Sequence, residues 1–292
     1  MPATPAAGWA EAAPTCVIAP RRGWTSLGLA ELWRYRELAL FLALRDVRVR
    51  YKQSLLGAAW AVLQPLLTMV VFSILFGALL GRDRMPTQEG IPYAVSTYCA
   101  LVPWQLFARS VTASADSLVA NQNLISKVYF PRLINPIAPT LAAVLDFALA
   151  FAVLVAMLLF YGIAPGLAIL ALPGFVLLVL VTALSVSLWL AAINAIYRDV
   201  RHAVPFLVQL WMFLTPVVYT SASLLGDRSG WLATLYGMNP MVGVIEAFRW
   251  ALLGGAAPPV ALLLPSISIT AVLFVGGLYF FRRMERTFVD LV

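Results

Sequence analysis

The chain has 292 residues, 62% of them hydrophobic and only 11% charged, and a formal net charge of +7. Soluble domains carry about 25% charged residues, so this composition excludes an ordinary water-soluble protein. The basic residues lie mainly outside the apolar runs, so the positive charge is read as membrane orientation rather than as a nucleic-acid footprint.

Residues 1–30, rich in Ala, Pro and Gly, read as a poorly ordered tail without the pattern of a cleaved signal peptide. From 31 to 55 the character changes. Leu32, Trp33, Leu38, Leu42 and Val49 are interspersed with Arg34, Arg36, Arg45, Arg48, Arg50 and Lys52. That mixture predicts an amphipathic helix lying at an anionic membrane surface, apolar face down.

Residues 56–292 read as a membrane domain. The stretch Phe147–Tyr197 holds 51 residues and no charge. As one helix it would run about 77 Å, against a bilayer core of about 30 Å, so it must cross, turn near Gly162–Gly166 and cross again. Three more charge-free runs, Gln53–Gly81, His202–Gly226 and Trp250–Phe281, each hold a helix of membrane-spanning length. Six transmembrane helices are drawn, over 57–80, 92–114, 135–160, 168–196, 203–221 and 260–281. Pro65 and the Pro103–Trp104 pair mark expected bends in the first two. Residues 224–257 are too apolar for a plain loop and are broken at Gly237, Asn239–Pro240 and Gly254–Gly255. Two short helices that dip into the membrane and return fit them.

With six spans both termini share a side. Fifteen Lys and Arg fall there against four on the other, which places both termini in the cytoplasm. Arg109 falls inside the second span.

Several kinds of chemistry are missing. Neither Lys52 nor Lys127 completes a phosphate-binding loop. The lone histidine, His202, supports neither a metal site nor a catalytic triad. Cys16 and Cys99 suggest no disulfide framework. No cofactor is expected.

Ionisable groups inside a membrane are costly and so informative. Arg109 and Asp146 lie at similar depths on neighbouring spans. They form a structural pair, or Asp146 faces a polar conduit. Glu246 and Arg249 are three residues apart and share a helix face. They pair with each other or latch the outer end of a pathway. Trp60, Phe72 and Phe76 on the first span, with Trp211, Phe213 and Tyr219 on the fifth, are either packing and interfacial residues or an aromatic lining along which a glycan slides. The loop at 120–129 presents Asn123, Leu124, Ile125, Lys127, Val128 and Tyr129. It is a solvated turn, or a short helix whose exposed Leu124, Ile125 and Val128 fit a partner's groove.

Three blocks carry a family resemblance: RDVRVRYKQSLLG at 45–57, NLISKVYFPR at 123–132, and NPM at 239–241 with IEAFRWALLG at 245–254. Together they resemble the ABC-2 type permeases that export polysaccharides, from about Glu31 to the C-terminus. The resemblance implies an all-α integral membrane protein of the bacterial inner membrane. It has an N-terminal interface helix carrying Arg45 and Arg48, a coupling helix at about 120–129 and two re-entrant periplasmic gate helices at about 224–257. It implies a permease rather than an enzyme, working as two copies with two separate ATPase subunits that use the ATP. Its substrate would be a lipid-linked glycan, its surroundings membrane lipid, and it would need no nucleic acid. An exporter of a drug or lipid, or an integral-membrane transferase, is the alternative.

Overall fold

The computed structural model describes residues 29–52, 57–80, 90–225, 230–255, 257–258 and 260–285. The expected tail at 1–28, and the basic residues Arg82, Arg84, Arg228 and Arg286 used for orientation, lie outside the described residues. Among the described residues every regular element is helical.

The chain begins with α1 (Leu29–Arg34) and α2 (Arg36–Lys52), then α3 (Ala59–Leu80), α4 (Tyr93–Ala120) and the single turn α5 (Gln122–Ile125). α6 (Ile134–Phe160) is joined to α7 (Leu172–Ile196) through a 3-10 turn over Leu167–Ala171. α8 (Val200–Phe213), α9 (Ser221–Leu225), α10 (Trp231–Gly237), α11 (Pro240–Leu253) and α12 (Val260–Met284) complete the order.

Four segments are long and apolar enough to cross a bilayer: Ala59–Phe76, Ile134–Phe160, Leu167–Ile196 and Val260–Met284. They match four of the six drawn spans. The other two differ for separate reasons. α4, drawn as 92–114, runs on to Ala120 and is about 42 Å long. It occupies the centre of the domain, packed by α3, α6, α7, α8 and α11. Ser96, Thr97, Ser110, Ser114 and Ser117 are all buried on it. Small hydroxyl residues let helices approach closely, and a helix enclosed by protein has no need of an apolar surface. Pro65 and Pro103 lie within α3 and α4, and both helices continue through them.

The fifth drawn span, 203–221, stops as a helix at Phe213. α8 is 14 residues long, about 21 Å, and Leu214–Thr220 leave the helical path. Pro216 lacks an amide hydrogen and disfavours helical geometry at Thr215, which accounts for the stop.

Polar hubs hold the part of the domain built from α10, α11 and the start of α12. Asn239 caps α11 by accepting from the Met241 amide, with Pro240 preset at the first helical position. Its carbonyl oxygen also accepts from the Trp211 indole, and its amide donates to Leu214 O and Thr215 Oγ1. Ser266 of α12 donates to the carbonyls of Gly237 and Leu262 and accepts from the Gly243 amide. The backbones meet so closely there that a Cβ on Gly237 would lie 2.8 Å from Leu262 O, and one on Gly243 2.8 Å from Ser266 Oγ.

Candidate functional site: a groove between α3, α4 and α8

α4 is buried along most of its length, but α3 and α8 are not. They carry exposed apolar side chains, among them Leu67, Val70, Ile74, Phe206, Leu207 and Leu210. Between these two helices and α4 lies an open groove of about 850 Å³. Aromatic rings and side-chain amides alternate in its wall. Trp60, Gln64, Thr68 and Phe72 come from α3, Trp104, Gln105 and Arg109 from α4, and Gln209 and Phe213 from α8. The α3 residues recur at four-residue intervals, one face of a helix. Trp60 is 48% and Phe213 52% exposed. A wall of this kind offers flat C–H-accepting faces and neutral hydrogen-bonding groups.

Of the six aromatics singled out in the sequence, the structure brings Trp60, Phe72 and Phe213 to the groove and sets the other three aside. Phe76 packs on Tyr93 and Phe72 with ring centroids 6.0 and 6.3 Å apart. Trp211 turns away to Phe107, edge-on at 5.1 Å, and donates to Asn239. Tyr219 shares a hydrogen bond of 2.9 Å with Tyr236. Trp104 and the three glutamines Gln64, Gln105 and Gln209 are additions. An uncharged amide inside an apolar run was the signal that could have found them.

At one end of the groove lies a polar junction centred on Asp146, whose side chain is only 4% exposed. Arg109 donates to Asp146 Oδ2 at 2.7 Å and to Gln64 Oε1 at 3.0 Å. Arg50 also donates to Oδ2, and the Tyr51 hydroxyl donates to Oδ1. The acid and Arg109 are thus ion-paired across α6 and α4. The last turn of α2 joins them, which the sequence reading had not anticipated.

α2 reaches this depth because of a stripe on α6. Phe130, Ile134, Ala138 and Ala142 pack against Ala39, Leu42 and Ala43 of α2. Ile134, Ala138, Ala142 and Asp146 are four residues apart and lie on one face of α6. The span from Ala39 to Tyr51 on α2 equals that from Ile134 to Asp146 on α6, about 18 Å each, so the two helices run side by side. The apolar face that the sequence predicts to lie on a membrane is, in its buried part, packed on protein. Leu40, Phe41, Leu44 and Val49 face outward beside Arg48 and Lys52.

The loop after α4 is pinned to the same element. Arg45 donates to Asp46 Oδ1 and Asn121 Oδ1, both at 2.8 Å, and the Tyr129 hydroxyl reaches Glu31 at 3.5 Å. The carboxylate of Glu31 is the main influence raising the Tyr129 pKa. The expected exposure of Leu124 and Ile125 is corrected here. Both are partly buried against the apolar cluster of α2 and α6, because α2 covers that side of the loop. Asn123, Lys127, Val128 and Tyr129 remain exposed, with Tyr129 at 81%.

At the other end of the domain Arg249, 5% exposed, donates to the carbonyls of Val217 and Tyr219 and to Glu246 Oε1. Glu246 accepts in turn from the Ser221 amide. The pair therefore ties down the non-helical segment that follows α8.

Relatives of the chain are membrane permeases. An O-antigen export system permease protein, RfbA, of Myxococcus xanthus is 28% identical over 262 residues, covering 90% of this chain and 98% of the relative. A Klebsiella pneumoniae protein of the same name is 29% identical over 261 residues, 88% of this chain and 95% of the relative. The polysialic acid transport protein KpsM of Escherichia coli is 26% identical over 224 residues, 74% and 81% of the two chains. A family model described as the ABC-2 type transporter matches residues 37–253, a stretch that takes in α2, the groove, the Asp146 junction and α11, and the chain belongs to that family.

Proposed function

We propose that this chain is the permease subunit of an ATP-driven exporter that carries a lipid-linked polysaccharide from the cytoplasm across the bacterial inner membrane. It is a transporter subunit, and ATP is hydrolysed on a separate ABC ATPase. The observation that carries the substrate reading is the groove wall. Trp60 and Phe213, each about half exposed, provide sugar-stacking faces backed by the buried rings of Phe72 and Trp104, and Gln64, Gln105 and Gln209 provide uncharged partners for hydroxyls. Among the described residues no carboxylate lines that wall, which suits sliding better than tight retention of any one sugar. The names of the O-antigen and polysialic acid relatives agree with it.

In this reading six segments cross the membrane: α3, α4, α6, α7, α8 with the segment after it, and α12. Both termini face the cytoplasm in this reading, which the excess of Lys and Arg on that side supports. α10 and α11 act as a re-entrant outer gate held by Glu246 and Arg249. A second copy of the chain closes the open side of the groove into a passage. Two ATPase subunits engage α1, α2 and the exposed Asn123, Lys127, Val128 and Tyr129, while lipid covers the remaining apolar surface.

The test is reconstitution of the chain with its ATPase partner in proteoliposomes loaded with lipid-linked glycan. ATP-dependent appearance of glycan on the far side is the expected result. Movement of a drug or simple lipid, with glycan left in place, overturns the substrate reading.

A further inference from the structure

The Asp146 junction joins side chains from four helices. Arg50 and Tyr51 belong to the last turn of α2, Asp146 to α6, Arg109 to α4 and Gln64 to the groove face of α3. The junction is continuous, because each link is a hydrogen bond between side chains. Its centre is shared: one carboxylate receives three donors, two of them cationic. Removing the charge therefore releases Arg50 on one side and Arg109 on the other at the same time.

We propose that Asp146 is a positioning residue for export, transmitting displacement of α2 to the groove wall. The proposal rests on the permease reading above. α1, α2 and the loop at 121–129 form one packed unit, fastened by Arg45 of α2 to Asn121 and by Glu31 of α1 to Tyr129 and packed over an apolar cluster. Force applied to that body reaches the groove by two routes. One is direct, because Arg50 and Tyr51 of α2 themselves line the groove. The other is the ion-paired route through Asp146, which ends on Arg109 and Gln64 in the groove wall itself. Arg109 touches both Asp146 and Gln64, so any shift of the acid relative to α4 changes where Gln64 is held. Asp146 touches no substrate in this scheme; it sets the position of two residues that line the passage.

The experiment uses the whole transporter, chain plus ATPase subunits, reconstituted in proteoliposomes. ATP turnover and glycan export are measured on the same preparation. Asp146→Asn keeps the size of the side chain but removes the charge that holds both arginines. The expected result is ATP turnover within about twofold of wild type and export reduced at least tenfold. Arg50→Gln, at the better-exposed α2 end, is expected to show the same split, and the double variant is expected to be no worse than either single one, as members of one route are not additive. Asp146→Glu is expected to recover part of the export. Should Asp146→Asn fail to assemble, Arg50→Gln and Tyr51→Phe carry the test alone. Normal export by Asp146→Asn overturns the proposal. So does parallel loss of ATP turnover and export by a variant that assembles, and so does normal export by Arg50→Gln. The wild-type control separates the two levels: absence of glycan export there sinks the permease reading, whereas its presence with no uncoupling in the variants sinks only the role of Asp146.

Discussion

Two ion-paired clusters bracket the domain, and they are built on opposite plans. In the orientation proposed above, the outer one, around Arg249, spends the guanidinium mainly on main-chain carbonyls, those of Val217 and Tyr219, with Glu246 alongside. The inner one, around Asp146, joins side chains only, from four helices, and borders the open groove. A cation that holds main chain in an irregular path fixes that path. A carboxylate shared among side chains ties helices together without fixing their main chain. The comparison assigns shape to the outer cluster and motion to the inner one.

That assignment is open to breakage, beginning at its strongest point. Arg249→Leu strands Glu246 and two carbonyls in a buried place, and breaking such a pair costs about 3–5 kcal/mol. A large fall in the thermal midpoint of the purified chain, with loss of assembled transporter, is expected. If Asp146→Asn lowers the midpoint as much, the distinction between the clusters fails. Asn239→Ala removes the cap of α11 and the ties to Trp211, Leu214 and Thr215. Unsatisfied partners cost about 1–3 kcal/mol, and a smaller downward shift of the same midpoint checks this. Trp60→Ala, in the exposed groove wall, is expected to leave stability within about 0.5 kcal/mol while slowing glycan export, measured in the proteoliposome assay. Val128→Ser with Tyr129→Ser, both exposed on the loop, should leave stability unchanged and reduce copurification of the ATPase. Undiminished copurification would remove that loop surface from the interface.

The sequence was most readable where lipid dictates composition. α6 and α12 begin within a residue of the drawn spans, because contact with hydrocarbon requires an unbroken apolar run. α4 was harder to delimit, since enclosure by five helices let Ser, Thr, Arg109 and Asp116 persist along it. The stop at Phe213 was written in Thr215–Pro216, and it was passed over because the apolar run continues to Val218. Depth arithmetic on two adjacent spans brought Arg109 to Asp146. The same arithmetic had no means of placing Arg50, 96 residues from the acid, because the small stripe of Ala138 and Ala142 that draws α2 alongside α6 is recognisable only once the two helices are known to be neighbours. Leu124 and Ile125 failed for the same reason: their cover is α2. In the groove, aromatic residues pointed to a lining but not to a direction, and three of six turn elsewhere.

The makeup of α4 bears on how the domain is assembled in the first place. A helix with Arg109 near its middle meets a penalty of about 2.5–3.5 kcal/mol at the centre of a bilayer on insertion scales, and its many hydroxyls add little attraction to lipid. With α4 as one of the six proposed spans, it depends on company to stay in the bilayer: α3 leads it in, and α6 supplies the acid that quiets its cation. The segment that most organises the finished protein is the one least able to enter the membrane alone, so newly made chains in which α6 is disabled should shed α4 to quality control before any transporter is built.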